Sequence, residues 1–212
     1  MAPPYVTEIA LLEVNDAYKS NPDLAKEMLD YLASIDGSQK IYYGLDLDNP
    51  DHWWLIIEWT TLEAHHKFMN DKAAYGLLAQ KSGKFAKGLV RMFHVNLVDD
   101  ASRAFSAPVT EIDIWTLKSD HHTDEKRKRA TEIVKGVSTT YNGLTQASGV
   151  YPGSAGPVVE EDQHVAVLVA GWTSKEQRND SLSRISEKRV LEGELSEFAK
   201  EETIFVKLSQ SK

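Results

Sequence analysis

Two adjacent histidines are the residues of this chain best suited to proton-transfer chemistry. His65 and His66 follow an apolar, strand-like run that ends at Trp59. Because imidazole titrates near neutral pH, either side chain could exchange a proton with a phenol or an enol. Neighbouring helix residues point about 100° apart, so we expect at most one of the two to face a pocket. The alternative for both is a surface or packing role, and His94 is a further candidate base.

Aromatic and apolar residues around this pair predict a pocket for a small aromatic substrate. Strand alternation points Leu55 and Ile57 to the same face as Trp59. Tyr42 and Tyr43 point to opposite faces, so one of them is expected to enter the pocket. Such aromatic residues either contact a substrate or pack in the core. The residues predicted to contact substrate are Trp59, Tyr43, Leu55, Ile57, Phe68 and Tyr75.

The overall composition argues against several other classes of function. The net charge of −8 makes a nucleic-acid or anionic-membrane surface unexpected, since phosphate binding needs clustered Lys and Arg. There are no cysteines and no His-Glu-x-x-His spacing, so neither thiol chemistry nor a metal site is predicted. No apolar leader or membrane span is evident. We therefore expect a cytoplasmic protein.

The elements that position the histidines occur twice. Trp53–Ile57 has the composition of a buried strand, and Thr60-x-x-Glu63 predicts a capping box that begins a helix. A similar strand and helix start recur at Val165–Glu176. Two shorter echoes in the same order, of Val6–Ile9 at 109–112 and of Val95–Leu97 at 206–208, predict an internal duplication.

The predicted order of elements defines the fold class. Each half contains strand, helix, strand, strand, helix and strand, which is the ferredoxin-like arrangement of an α+β fold. The halves are predicted at 1–98 and 107–212, joined by a polar linker at 99–106. Within the second half, a helix is expected to end at Asn142-Gly143, and the Gly- and Pro-rich 151–157 is expected to be an enlarged loop. Helices cover only one face of each sheet, so the other faces are expected to pack together as an internal barrel.

The stretch Glu58–His65 resembles a pattern of the dimeric α+β barrel superfamily, and within it of the antibiotic-biosynthesis-monooxygenase-type domain. That pattern has an acid, an aromatic residue, polar residues, an acid and an alanine at a strand-to-helix junction. The order of elements extends the resemblance over both halves, so the chain resembles a tandem member that forms an internal pseudo-dimer. Trp59 matches the aromatic residue that faces the family's pocket, whereas Phe68 stands where relatives often carry histidine.

The resemblance implies a small-molecule enzyme of secondary metabolism. Family activities include cofactor-free oxygenation of polyketide-like phenols or anthrones, cyclisation of aromatic precursors and haem degradation. We expect a site in the first half, with His65 as acid or base and no cofactor, because the second half has Arg178 in place of His65. The alternatives are haem binding through His65 or His66 and a non-catalytic binding protein. Two chains could associate further as a homodimer.

Overall fold

The structure, a computed structural model, describes residues 5–148, 150–160, 165–183 and 185–212, without the side chains of 145–148 and 186–189. These residues form two compact units. The first half, as the term is used below, contains residues 5–94 together with Ser209–Lys212, and the second half contains Val95–Leu208. Within the described chain, no helix is both long and apolar enough to cross a membrane.

The first half is an antiparallel sheet with helices. Its strands lie in the order β4-β1-β3-β2-β9, and β3 pairs antiparallel with both β1 and β2. Its elements are β1 (Val6–Val14), α1 (Asp16–Ser20), α2 (Lys26–Ser34), β2 (Ser38–Leu45), β3 (His52–Trp59), α3 (Leu62–Asn70), α4 (Lys72–Ser82), β4 (Ala86–Val95) and the C-terminal β9 (Ser209–Gln210). Strand β4 passes into the second half at its last residue.

The second half repeats this topology. Its strands lie in the order β6-β7-β5-β8, which matches β2-β3-β1-β4 of the first half. Its elements are α5 (Ser102–Phe105), β5 (Val109–Leu117), α6 (Asp124–Ser148), β6 (Tyr151–Pro157), β7 (Val165–Trp172), α7 (Lys175–Leu182), α8 (Ser186–Phe198) and β8 (Ala199–Val206). The predicted α+β fold with tandem ferredoxin-like repeats is therefore confirmed.

The junction between β3 and α3 is fixed by local interactions. Helix α3 begins at Leu62, and Thr61 is its N-cap, with the hydroxyl accepting from the Ala64 amide at 3.1 Å. The predicted capping box had placed the cap one residue earlier. Gly37 has φ +90, and an added Cβ there would lie 2.7 Å from the Ala64 side chain. A glycine is therefore needed where the turn after α2 contacts the start of α3.

Three segments differ from their sequence-based description. The expected linker 99–106 contains α5, in which Phe105 is buried. The expected loop 151–157 is strand β6, whose Gly153 lies so close to β7 that an added Cβ would be 1.8 Å from the Val169 carbonyl oxygen. Helix α6 does not end at Asn142, because that side chain bonds the backbone of Gly153 instead of capping the helix.

Candidate active site in the first half

A cavity of about 350 Å³ lies between the sheet and the helices of the first half. Alternate residues of two neighbouring strands form its floor, since side chains two apart on a strand share a face. Helices α2, α3 and α4 form the walls. The lining residues Gly83, Lys87, Gly88 and Leu89 are exposed, so the mouth opens between α4 and the start of β4. The floor consists of Glu8, Ala10, Leu12, Leu55, Ile57 and Trp59.

The interior of the cavity carries a buried polar cluster. His65 Nδ1 lies 2.6 Å from His94 Nε2, and His65 Nε2 lies 3.5 Å from Glu8 Oε2. The indole Nε1–H of Trp59 donates to the same Glu8 oxygen at 2.7 Å. Glu8, His65 and His94 are at most 5% exposed. The fold thus brings a carboxylate and two imidazoles together away from solvent.

Helix geometry and ring packing hold His65 in this position. His65 and Phe68 are three residues apart and form the buried stripe of α3. The indole of Trp59 stacks on the His65 imidazole, with ring centroids 4.5 Å apart and planes 17° apart. Because the ring is held by stacking on one side and by polar contacts at both nitrogens, its orientation is fixed. Fixed orientation is what a proton-transfer group requires.

A tyrosine adds a third type of polar group to the cavity. Tyr75 lines the wall and packs edge-on against Phe68, with centroids 5.5 Å apart. Burial, together with the negative charge of Glu8, raises the pKa of the Tyr75 hydroxyl. The hydroxyl therefore stays protonated at neutral pH and can donate a hydrogen bond to a bound oxygen atom.

Six of the eight residues predicted from the sequence line this cavity: Trp59, Leu55, Ile57, Phe68, Tyr75 and His65. The other two lie elsewhere. His66 is exposed and does not line the cavity, although its ring meets the His94 ring edge-on with centroids 6.3 Å apart. Tyr43 packs on Trp53, with centroids 5.6 Å apart, and lines a separate depression that includes Leu29. Helix α2 separates this depression from the cavity. Its Met28 and Leu32 face the cavity, while Leu29 lies on the side of Tyr43.

Glu8 was missed from the sequence, and His94 was only a secondary candidate. The three members of the cluster come from β1, α3 and β4, so no local spacing could reveal them. One signal did exist. Glu8 lies in the repeated Val-Thr-Glu-Ile stretch, and an acid that recurs inside an otherwise apolar strand is a candidate for a buried, paired carboxylate.

The second half carries a modified version of the same cluster. Glu111 is the counterpart of Glu8, and Trp172 Nε1–H donates to it at 2.6 Å, as Trp59 does to Glu8. Arg178 follows Trp172 by the same six residues as His65 follows Trp59, and its Nε donates to Glu111 at 2.9 Å. The counterpart of His94 is Phe205, over which the Arg178 guanidinium lies at 5.6 Å. An ion pair thus replaces the two imidazoles.

The fold is shared with solved structures over the whole chain. An anthrone oxidase-like protein is 12% identical, with a TM-score of 0.70 and coverage of 100% of this chain and 96% of that one. An inferred monooxygenase from Fusobacterium nucleatum is 9% identical, with a TM-score of 0.67 and coverage of 97% and 93%. An inferred chlorite dismutase is 9% identical, with a TM-score of 0.59 and coverage of 97% and 94%. No family model and no curated protein sequence matches the chain.

The predicted resemblance is confirmed at the level of fold. The chain shares its fold with an anthrone oxidase-like protein and with proteins described as monooxygenases. Identities this low carry the fold alone, because one fold hosts many chemistries. The activity of this chain therefore depends on the residues of its own cavity.

Proposed function

We propose that the first half is a cofactor-independent monooxygenase site for a flat, hydroxylated aromatic substrate of the anthrone or polyketide type. The observation that carries this proposal is the cavity that ends on His65, which is buried and held between Glu8 and His94. The size of the cavity and its apolar floor suit a fused-ring compound, and its polar groups suit the hydroxyl of that compound. An open cavity also favours this function over a purely structural role.

Proton abstraction is the task assigned to His65. In the required tautomer, His65 Nδ1–H donates to His94 Nε2, and the lone pair that accepts the substrate proton is on His65 Nε2. The imidazolium that forms then lies 3.5 Å from the Glu8 carboxylate, whose charge stabilises it. His94 and Glu8 are positioning residues in this scheme, because they act through His65. Tyr75 donates a hydrogen bond to the oxyanion of the substrate.

Molecular oxygen supplies the oxidising power. Loss of the phenolic or enolic proton gives an electron-rich carbanion equivalent, which transfers electrons to O₂. For an anthrone, one oxygen atom enters the methylene carbon as a carbonyl, and the other leaves as water with the two methylene hydrogens. The protein needs only to bind the substrate, orient it and hold the proton, which are the functions its cavity residues are suited to perform.

The haem alternative fits these residues poorly. His65 Nδ1 is engaged by His94, and an iron placed on Nε2 would bring a porphyrin plane against the Glu8 carboxylate, which lies 3.5 Å from that nitrogen. A hydroxyl group is far smaller than a porphyrin and brings no ring plane against Glu8. His66, the other ligand considered for haem, does not line the cavity and is exposed. No step through haem is therefore proposed.

The proposal is tested by oxygen consumption in the presence of anthrone. The wild-type chain is expected to consume oxygen and form the quinone after treatment with a chelator. His65→Gln is expected to reduce the rate at least 100-fold, on the order of a lost general base. His66→Gln makes the same chemical change at the exposed neighbour and should keep the wild-type rate. A folded His65→Gln variant with full activity would contradict the assignment.

A further inference from the structure

The buried polar cluster has the composition of a metal-binding site. One ligand-type atom from each of Glu8, His65 and His94 can be chosen so that all three lie within 4.8 Å of one another. All three side chains are buried, so they do not belong to a solvated acidic surface. Two imidazoles and one carboxylate make up this donor set, which differs from the carboxylate clusters common on protein surfaces.

We propose that Glu8, His65 and His94 bind a divalent transition-metal ion of the Zn²⁺ or Co²⁺ type. Imidazole nitrogen with one carboxylate suits Zn²⁺, Co²⁺ and Fe²⁺, whereas Ca²⁺ and Mg²⁺ prefer sets made of oxygen atoms. Three protein ligands leave a further coordination position. Glu8 and His65 line the cavity, so that position opens towards it. This inference goes beyond the proposed oxygenase and does not depend on it.

Metal binding requires the cluster to rearrange. Tetrahedral coordination with metal–nitrogen bonds of about 2.0–2.1 Å separates two ligand nitrogens by about 3.3 Å. The nearest nitrogens of His65 and His94 are 2.6 Å apart, and Glu8 faces the other nitrogen of His65 at 3.5 Å, so the imidazoles must separate and the His65 ring or the Glu8 carboxylate must turn before one ion can meet all three residues. The hydrogen that joins the two imidazoles must leave, because a metal ligand has to present a lone pair. Binding is therefore expected to release a proton.

Neighbouring residues already orient the proposed metal ligands, as the residues around a metal site do. Trp59 Nε1–H fixes the Glu8 carboxylate, and the Trp59 ring stacks on His65. Such outer contacts orient metal ligands and raise the affinity of a site. The second half has the same Trp–Glu pair, but Arg178 and Phe205 replace the two imidazoles. It therefore serves as an internal control that keeps the scaffold and lacks the donors.

Metal binding and proton transfer need the same side chains. A bound ion takes a nitrogen lone pair of His65 and the Glu8 carboxylate, so the arrangement in which Nε2 accepts the substrate proton is lost. We therefore expect Zn²⁺ to abolish any proton transfer by His65 when it is bound. Free metal would then act as an inhibitor, and the chelator-treated chain would be the active form of the proposed oxygenase.

The experiment titrates the chelator-treated full chain with Zn²⁺ by calorimetry and with Co²⁺ by visible absorption, in the absence of substrate. One ion per chain, the d–d bands of cobalt bound to nitrogen and oxygen, and a melting temperature that rises with Zn²⁺ concentration are expected. His94→Phe, which copies Phe205, should weaken binding at least tenfold. His66→Phe is the matched control and should bind as the wild type does.

The outcomes separate this inference from the proposed function. Absence of one-to-one binding at micromolar metal, or equal binding by His94→Phe, overturns the site. If His94→Phe does not fold, Glu8→Gln replaces it, since it keeps the size of the side chain and removes its charge. If the chain binds one Zn²⁺ but never consumes oxygen with anthrone, the metal site is supported and the proposed oxygenase is contradicted. If the chain consumes oxygen but binds no Zn²⁺, the oxygenase is supported and the metal site is contradicted.

Discussion

His65 Nδ1 and His94 Nε2 lie 2.6 Å apart in the interior of the first half, although the two residues come from a helix and an edge strand. Nitrogen atoms this close are joined through a single shared hydrogen, because two N–H groups facing each other would repel. One imidazole therefore donates this hydrogen and the other accepts it. Glu8 faces the other nitrogen of His65 at 3.5 Å, so a proton gained at that nitrogen is held beside a carboxylate.

Replacement of the two equivalent tryptophans should have unequal effects. Trp59→Phe removes the indole donor to Glu8, and Trp172→Phe removes the indole donor to Glu111. Glu111 keeps the strong Arg178 partner, whereas the contact between Glu8 and His65 is an ion pair only if His65 is protonated. A buried carboxylate that loses a donor costs about 1–3 kcal/mol. We expect Trp59→Phe to lower the free energy of unfolding by about 1 kcal/mol more than Trp172→Phe does.

Urea denaturation of both variants measures this difference. The change in ring size is the same in the two halves, although Trp59 stacks on His65 and Trp172 meets Tyr141 edge-on. Equal losses of stability would show that Arg178 contributes nothing to holding Glu111.

The two tyrosines predicted from the sequence should differ in ligand binding. Tyr75→Phe removes a hydroxyl from the cavity wall, and we expect it to weaken the binding of a hydroxylated tricyclic probe about tenfold, the loss of one hydrogen bond. Tyr43→Phe should leave binding unchanged, because helix α2 separates Tyr43 from the cavity. Quenching of tryptophan fluorescence on titration with the probe measures both. Weaker binding by Tyr43→Phe alone would place the ligand in the other depression.

Asp113 should give the second half a characteristic dependence of stability on pH. Burial, reinforced by the charges of Glu111 and Glu201, raises the pKa of Asp113 well above its usual range. The folded chain therefore keeps a proton that the unfolded chain loses above about pH 4. Because the folded state binds more protons, this residue's stabilising contribution is complete below that pH and falls as pH rises towards the folded pKa.

Asp113→Asn removes this dependence. The free energy of unfolding of the variant, relative to the wild type, should increase by about 1.4 kcal/mol per pH unit above about pH 4.5 until the folded pKa is reached. Urea denaturation between pH 4 and pH 7 measures the slope, which is diagnostic even if the amide adds a constant offset. Parallel curves for the two proteins would show that Asp113 is ionised in the folded state.

The sequence predicted the fold well because its signals are local. The apolar run before Trp59 predicted a buried strand, and β3 is buried from Trp53 onwards. Gly37 belongs to the residue type that tolerates positive φ, and it has φ +90 in the turn after α2. Repeated tetrapeptides predicted the duplication, and the two sheets share one strand order. Periodicity, capping and turn chemistry each depend on a few neighbouring residues, so they can be read from one chain.

The site was only partly predictable because its contacts are not local. Alternation along β3 correctly gave the cavity face of Leu55 and Ile57. Residues from three elements form the cluster of Glu8, His65 and His94, and only the folded chain brings them together. Tyr43 shows the same limit, since the position of α2 across the sheet decides which pocket it lines.

Two predictions made from glycines of the second half were wrong, and a pair of glycine variants tests the structural explanation, which is the space available for a Cβ atom. Gly153 was expected in a loop, but it lies in β6, where a Cβ would meet the Val169 carbonyl oxygen at 1.8 Å. Gly153→Ala must therefore displace the β6–β7 pairing and should lower the free energy of unfolding by at least about 3 kcal/mol, comparable to severe core substitutions.

Gly143 was expected to end a helix, but it lies within α6, and an added Cβ there meets nothing within 4 Å. Gly143→Ala should instead stabilise the chain by about 0.5–1 kcal/mol, because alanine loses less backbone entropy in a helix. Thermal and urea unfolding of the two variants provide the measurement, and a destabilising Gly143→Ala would show that α6 ends before this residue.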